Sequence, residues 1–325
     1  MTALRFDGGK AESLHPQDMP ASPGGGIWCD VARPDLPEPD AGGQGLARWL
    51  AALHPLLRAR LRHPPTLGSP LPQPDAVYIC VDATPQAAVA AGKGHGPRER
   101  AAVDVVLGRD FAITVHDPGM SEWEDIHQAF GGGRRRAEGL DMALYEALNG
   151  LVTRQQRAAQ ALNLRAEDVG QRLVRVRDHH VLDEIVEVRR LAIALRGALA
   201  PTEAGLELLT TGGGDSPVTD AARPYFAELH RQAAGALQVV EETRSAMGEA
   251  VEGYTSVQST QMNRIMQLFT VLAVLLMPAT MVASIYGMNF RIPEYHWRLG
   301  YPWALGVMGA VTGGFYLYVR LRRWL

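Results

Sequence analysis

Two stretches near the C-terminus, residues 265–287 and 301–319, contain no Asp, Glu, Lys or Arg. A charge-free helix of about 20 residues matches the roughly 30 Å hydrocarbon thickness of a bilayer, and a helix satisfies its own backbone there. Two such runs, joined by a short polar loop over residues 288–300, predict a transmembrane hairpin. A buried hairpin in a soluble protein is the competing reading, and the length and cleanness of both runs weigh against it. Tyr286, Tyr295, Trp297, Tyr301 and Trp303 gather at the loop end, and Tyr316, Tyr318 and Trp324 at the other, as interfacial aromatics do. Arg264, Arg320, Arg322 and Arg323 flank the hairpin away from the loop, which itself carries Arg291 and Arg298 against Glu294. The excess of cations on one side predicts that both termini face the cytoplasm.

The remainder reads as soluble. Lys and Arg number 32 against 35 Asp and Glu, so net charge suggests no polyanionic partner. The triplet Arg134–Arg136 has no interleaved aromatics and reads as a solvated loop, with no nucleic acid implied. Residues 1–25 are rich in Gly, Pro and polar groups, contain no signal-peptide core, and are expected to be a disordered tail. Residues 26–131 alternate strand-like and helix-like patterns, as in "GIWCDV", "GLARWLAALHPLLRARL" and "AVYICVD". "VDVVLGRDFAITVHD" reads as two strands joined at Gly108-Arg109-Asp110. This is a small α/β domain, giving an α+β soluble part overall. Cys29 and Cys80 lie in its apolar stretches and read as core residues, not a disulfide. "AGKGHG" lacks the spacing of a phosphate loop and reads as a turn.

Residues 132–211 repeat apolar positions at three- and four-residue steps, a helical layer. From about Asp220 a single helix is expected to run through a stalk (212–264) into the first apolar run. Its length of about 65 residues corresponds to roughly 100 Å, and no helix that long is stable alone. Glu252, Ser256, Ser259, Asn263, Met266, Thr270, Ala273, Met277, Thr280 and Ser284 form one stripe on it, polar, small or Met-lined, between flanks of Leu, Val, Ile and Phe. Two explanations stand together: close helix packing through small residues, or a water-containing pore shared among several copies.

The loop then enters. Tyr286-Gly287-Met288-Asn289-Phe290, followed by Pro293-Glu294, Trp297 and Gly300-Tyr301-Pro302, resembles the CorA family of divalent-cation channels, whose hallmark is Gly-Met-Asn. "MPATMVASIYGMNF" and the ending "YLYVRLRRWL" are similar to that family's first membrane helix and basic C-terminus (320–325 here). The resemblance implies a funnel-shaped homopentamer in a bacterial-type inner membrane, embedded in lipid, with residues 265–287 lining the pore and 301–319 forming the second span. It implies a ring of Asn289 carboxamides at the outer mouth holding a hydrated ion, presented by Gly287 and Met288. Thr280 would add a polar ring, Met277 a hydrophobic constriction, Met266 and Asn263 inner positions, and Glu252 an acidic group toward the cytoplasmic end. Glu294 would attract cations to the mouth. Mg2+, a hard ion slow to lose water, suits such neutral oxygens, with Co2+ or Ni2+ as incidental cargo; no cofactor is implied.

Ile292 stands where the family commonly has Met, and Arg291 puts a cation near the entrance. A zinc carrier of the ZntB type is the runner-up. A non-conducting membrane-anchored scaffold is a further alternative, and an enzyme is disfavoured because no nucleophile-base constellation or cofactor loop is found. Adjacent His179 and His180 point in different directions on a helix and read as surface residues. Glu228, Glu241, Glu242 and Glu249 are carboxylates available for gating, without an assignable sensor site.

Overall fold

The computed structural model describes residues 1–7, 10–62, 70–73, 76–83, 101–175, 180–211, 216–289 and 293–321. The turn expected at "AGKGHG", His179, Phe290, Arg291, Ile292, Arg322 and Arg323 lie outside them. The chain divides into two units, Met1–Val251 and Glu252–Leu325.

The first unit is built on a seven-stranded sheet of order β2-β1-β3-β7-β6-β5-β4. Its strands are β1 (Thr2–Asp7), β2 (Lys10–Leu14), β3 (Ile27–Ala32), β4 (Leu71–Pro72), β5 (Ala76–Asp82), β6 (Ala102–Gly108) and β7 (Phe111–His116). β3 pairs parallel with β7, and every other pairing is antiparallel. β6 and β7 form the hairpin expected at residues 108–110, with Leu107 opposite Ala112.

Strand alternation sends side chains to two faces. Trp28, Val77, Ile79, Val103 and Val105 enter one core, while Ile27, Cys29, Tyr78, Cys80 and Val106 enter the other. The second face is covered by α1 (Leu46–Ala52) and α2 (Pro55–Arg62). The helical spacing of Leu and Trp is divided between these two helices at Pro55, where a kink is expected because proline cannot continue a helical ladder. The first face is covered by α3 (Ser121–Gly131), α4 (Leu140–Arg175), α5 (His180–Thr211) and the start of α6 (Arg223–Tyr286). Farther along, α4, α5 and α6 share a separate core through Ala159, Val169, Ile185, Val188, Ala236 and Val240.

The tail expected to be disordered over residues 1–25 is corrected by the structure. β1 joins the sheet through Thr2–Arg5 opposite Asp30–Ile27, with Ala3 and Leu4 buried, and β2 pairs with β1. Thr2, Leu4 and Phe6 alternate with Ala3 and Arg5, and that two-residue period outweighs the Gly and Pro content nearby. The α/β domain therefore starts at β1, not at residue 26.

α6 is 64 residues long and passes through Pro278 without ending. In the first unit its inward residues Phe226, Leu229, Ala233, Ala236, Val240, Thr243 and Met247 alternate steps of three and four, a seam that stays aligned with helical neighbours. The loop before it is tied down by Asp141, whose Oδ2 accepts the Thr219 hydroxyl at 2.6 Å and its amide at 3.1 Å. In the second unit α6 ends at Tyr286, a short 3-10 turn spans Pro293–His296, and α7 runs Gly300–Leu321.

Candidate functional site

Beyond Val251 no residue of α6 is buried. Ile265, Leu268, Phe269, Leu272 and Leu276 are large, apolar and exposed. α6 is long and apolar enough to cross a membrane, and none of its most apolar 18 residues is covered by the chain. α7 carries no charged residue before Arg320, and five glycines, Gly300, Gly306, Gly309, Gly313 and Gly314, are spread along it.

The residues expected to line a pathway fall on this exposed part of α6. Glu252, Asn263, Met266, Met277 and Thr280 are separated by 11, 3, 11 and 3 residues. Eleven residues return a helix to nearly the same azimuth, about 20° off, and three fall about 60° short of a full turn, so all five share one face. Each is exposed, Met266 at 59 % and Met277 at 74 %. The structure thus brings them onto one exposed face of α6.

The chemistry of that face follows from its backbone. The Thr280 hydroxyl donates to the Leu276 carbonyl at 2.9 Å, and Thr270 donates likewise to Met266 at 2.8 Å. With its proton held by the helix, each hydroxyl turns its remaining lone pairs outward as an acceptor. Pro278 has no amide hydrogen, so the Val274 carbonyl lacks the donor that closes the other turns. Neutral oxygen acceptors on an otherwise apolar helix suit a hydrated cation better than an anion.

The helix stops at the motif. The Gly287 amide donates to Ala283 at 2.9 Å and the Met288 amide to Ile285 at 3.3 Å, a tightening from α to 3-10 spacing. A Cβ at Gly287 would lie 3.3 Å from the Ala283 carbonyl oxygen, so a side chain there would press on the last turn. Met288 and Asn289 are exposed just past the helix end. Glu294 lies in the 3-10 turn, its side chain outside the described structure.

Other candidates are accounted for locally. Glu241 accepts from Arg196 at 2.8 Å, Glu242 from Gln238 at 2.8 Å, and Glu228 pairs with Arg231. Among the described residues no cluster of His, Cys, Asp and Glu is placed to hold a metal. Arg134, Arg135 and Arg136 are exposed, Arg135 facing Glu146 at 3.4 Å. Cys29 and Cys80 are free and buried, and burial pushes both thiols up, as befits inert core residues.

Two buried polar networks in the first unit escape sequence reading. Asp30 Oδ1 accepts Thr114 Oγ1 at 2.5 Å and Trp123 Nε1 at 2.9 Å, while its Oδ2 faces His116 Nε2 at 3.5 Å. Nearby, His127 Nδ1 lies 3.1 Å from Thr2 Oγ1, and its buried ring meets Trp28 edge to face at 4.8 Å. In the second network Arg33 reaches Asp104 at 2.9 Å and Asp117 at 2.8 Å, and Tyr78 donates to Asp104 at 2.7 Å. Burial pushes the Asp104 carboxyl up, against the pull of Arg33. Their members are scattered through the sequence and share no local signal.

A solved structure of the CorA magnesium transporter from Methanocaldococcus jannaschii matches over 100% of this chain and 98% of its own, with TM-score 0.69 and 16% identity. The ZntB cytoplasmic domain from Vibrio parahaemolyticus matches over 80% of this chain and 98% of its own, with TM-score 0.59 and 12% identity. At such identities these likenesses show a shared fold. In sequence, the chain is 31% identical over 152 residues to a cobalt/magnesium transport protein CorA of Thermotoga maritima, 46% of this chain and 40% of that protein; it thus aligns with under half of that relative's length. The family model for CorA-like Mg2+ transporter proteins matches residues 88–322, more than two thirds of the chain and including both apolar runs and the Gly-Met-Asn turn, and the chain belongs to that family.

Proposed function

We propose that this chain conducts divalent cations, Mg2+ foremost and Co2+ or Ni2+ incidentally, through a homopentameric pore in a bacterial-type inner membrane. The observation that carries the reading is the uncovered face of α6, where Asn263, Met266, Met277 and Thr280 lie in line and lead to the exposed Asn289. One helix cannot enclose water, so copies of α6 surround the pathway, with α7 as the second span and both termini in the cytoplasm. The Asn289 carboxamides present neutral oxygens to the ion's water shell, which Mg2+ gives up reluctantly. Thr280 and Thr270 repeat that acceptor chemistry deeper, Met277 narrows the path with an apolar ring, and Glu252 meets the ion at the inner end. Glu294 concentrates cations at the mouth.

An inside-negative potential contributes about 2.3 kcal/mol per charge per 100 mV, hence about 4.6 kcal/mol for a divalent ion, enough for roughly a thousandfold gradient. No catalytic chemistry is needed. A Zn2+-carrying variant of the same pathway, inward or outward, is the second reading, because Arg291 and Ile292 depart from the commonest loop of the family and bear on ion selectivity.

The test is metal entry into proteoliposomes holding the full chain or Asn289→Ala, under an imposed potential and separately under a pH gradient. Potential-driven Mg2+ entry that falls at least tenfold in the variant is the expected result. Zn2+ flux without Mg2+ flux would reassign the cargo. No flux of either ion would leave a membrane-anchored scaffold.

A further inference from the structure

A cleft of about 540 Å³ opens in the second unit between the end of α6 and the start of α7. Its upper wall is formed by Tyr286, Trp297, Arg298 and Tyr301, and its lower wall includes Ala304, Leu305 and Met308. Its polar and apolar lining are thus segregated along the axis of α7.

We propose that this cleft seats one anionic phospholipid, its phosphate on Arg298 and an acyl chain along Ala304, Leu305 and Met308. The inference rests on the reading of α6 and α7 as membrane spans. Arg298 lines the cleft and is exposed. A guanidinium matches a phosphate with two parallel hydrogen bonds, and its charge selects an anionic headgroup over a neutral surface. The first turn of α7 lies in the same wall, and its amide end adds positive potential at that point. Trp297 and Tyr301 are 56 % and 78 % exposed, a cost in water but the usual setting of such rings at the level of headgroup and glycerol. A free anion would leave the apolar lower wall unfilled. A lipid fills both halves.

The experiment uses the full chain, stripped of lipid in detergent and titrated with phosphatidylglycerol or phosphatidylcholine, with retained lipid counted by native mass spectrometry. Phosphatidylglycerol is expected to be retained about tenfold better than phosphatidylcholine, and Arg298→Gln is expected to abolish that preference while Arg298→Lys keeps part of it. Equal retention of both lipids, or full retention by Arg298→Gln, would overturn the proposal. So would a disulfide between copies formed at Tyr301→Cys in native membranes, because the cleft would then be filled by a second chain. Carbonate extraction of the membranes separates the two readings: a chain washed off removes the membrane spans themselves, whereas an integral chain without lipid preference removes only the lipid seat.

Discussion

Ile193 and Leu272 are both apolar, both helical and both 53 % exposed, yet they sit in regions built on opposite rules. The unit Met1–Val251 buries polar groups in hydrogen-bonded sets, as Asp30, Thr114 and Trp123 illustrate. The unit Glu252–Leu325 leaves Leu, Ile, Phe and Trp side chains uncovered over most of its length. An isolated exposed Ile is ordinary on a soluble surface, whereas a continuous apolar surface demands a different surrounding medium. The difference teaches that exposure has no meaning until the solvent is named, and α6 runs through both cases within one unbroken helix.

The sharpest way to break the comparison is in the soluble unit. Arg33→Met leaves Asp104 buried without its cation, so the full chain is expected to lose about 3–5 kcal/mol of unfolding free energy in denaturant titrations followed by circular dichroism. Adding Asp104→Leu should restore most of it, since an apolar pair needs no mutual compensation. An unchanged midpoint in Arg33→Met would show that the network contributes nothing to that core.

Next in size is the matched pair itself. Leu272→Arg places a charge within the membrane span, at a cost of about 3 kcal/mol, and is expected to lower the fraction of integral protein after carbonate extraction. Ile193→Arg, at equal exposure, should stay within about 0.5 kcal/mol of the parent. If both substitutions behave alike, the two surfaces meet the same solvent and the division fails.

The smallest effect is a pH dependence confined to the first unit. Burial holds His127 below its ordinary value of 6.5, with Asp30 and a backbone hydrogen bond to Trp28 pulling the other way and His116 adding to the depression. The unfolded chain takes up that proton near 6.5 while the folded one does not, so the contribution is whole above about 6.5 and is lost as pH falls toward the lower folded value. The expected slope is at most about 1.4 kcal/mol per pH unit, setting in as pH falls below about 6.5. His127→Leu should flatten it, and a slope that survives in the variant would assign the dependence elsewhere.

Those same residues explain what could be read from the sequence. "AVYICVD" and "VDVVLGRDFAITVHD" announce β5, β6 and β7 because strands covered on both faces are apolar throughout. "TALRFD" and "KAESL" do not, because an edge hairpin carries Arg5, Lys10 and Glu12 outward and gains its order from pairing with β3, some 25 residues on. The line from Glu252 to Thr280 was legible from helical spacing alone, and its extension to Asn289 from resemblance. The networks around Asp30 and Arg33 were not, since Thr2, Asp30, Thr114, His116, Trp123 and His127 meet only after the sheet closes. The lipid cleft was half visible: its aromatics stood out as an interfacial belt, but only the meeting of two helix ends gives Arg298 a cavity to face.

The core seam of α6 has a consequence for how the protein is made. Phe226, Leu229 and Ala233 belong to one core with the sheet, α3, α4 and α5, and Ala236, Val240 and Met247 to another with α4 and α5. All of these partners precede α6 in the chain, so during translation its seat is complete before its first turn leaves the ribosome. The early half of α6 can dock as it emerges, and the apolar half then follows from an anchored base.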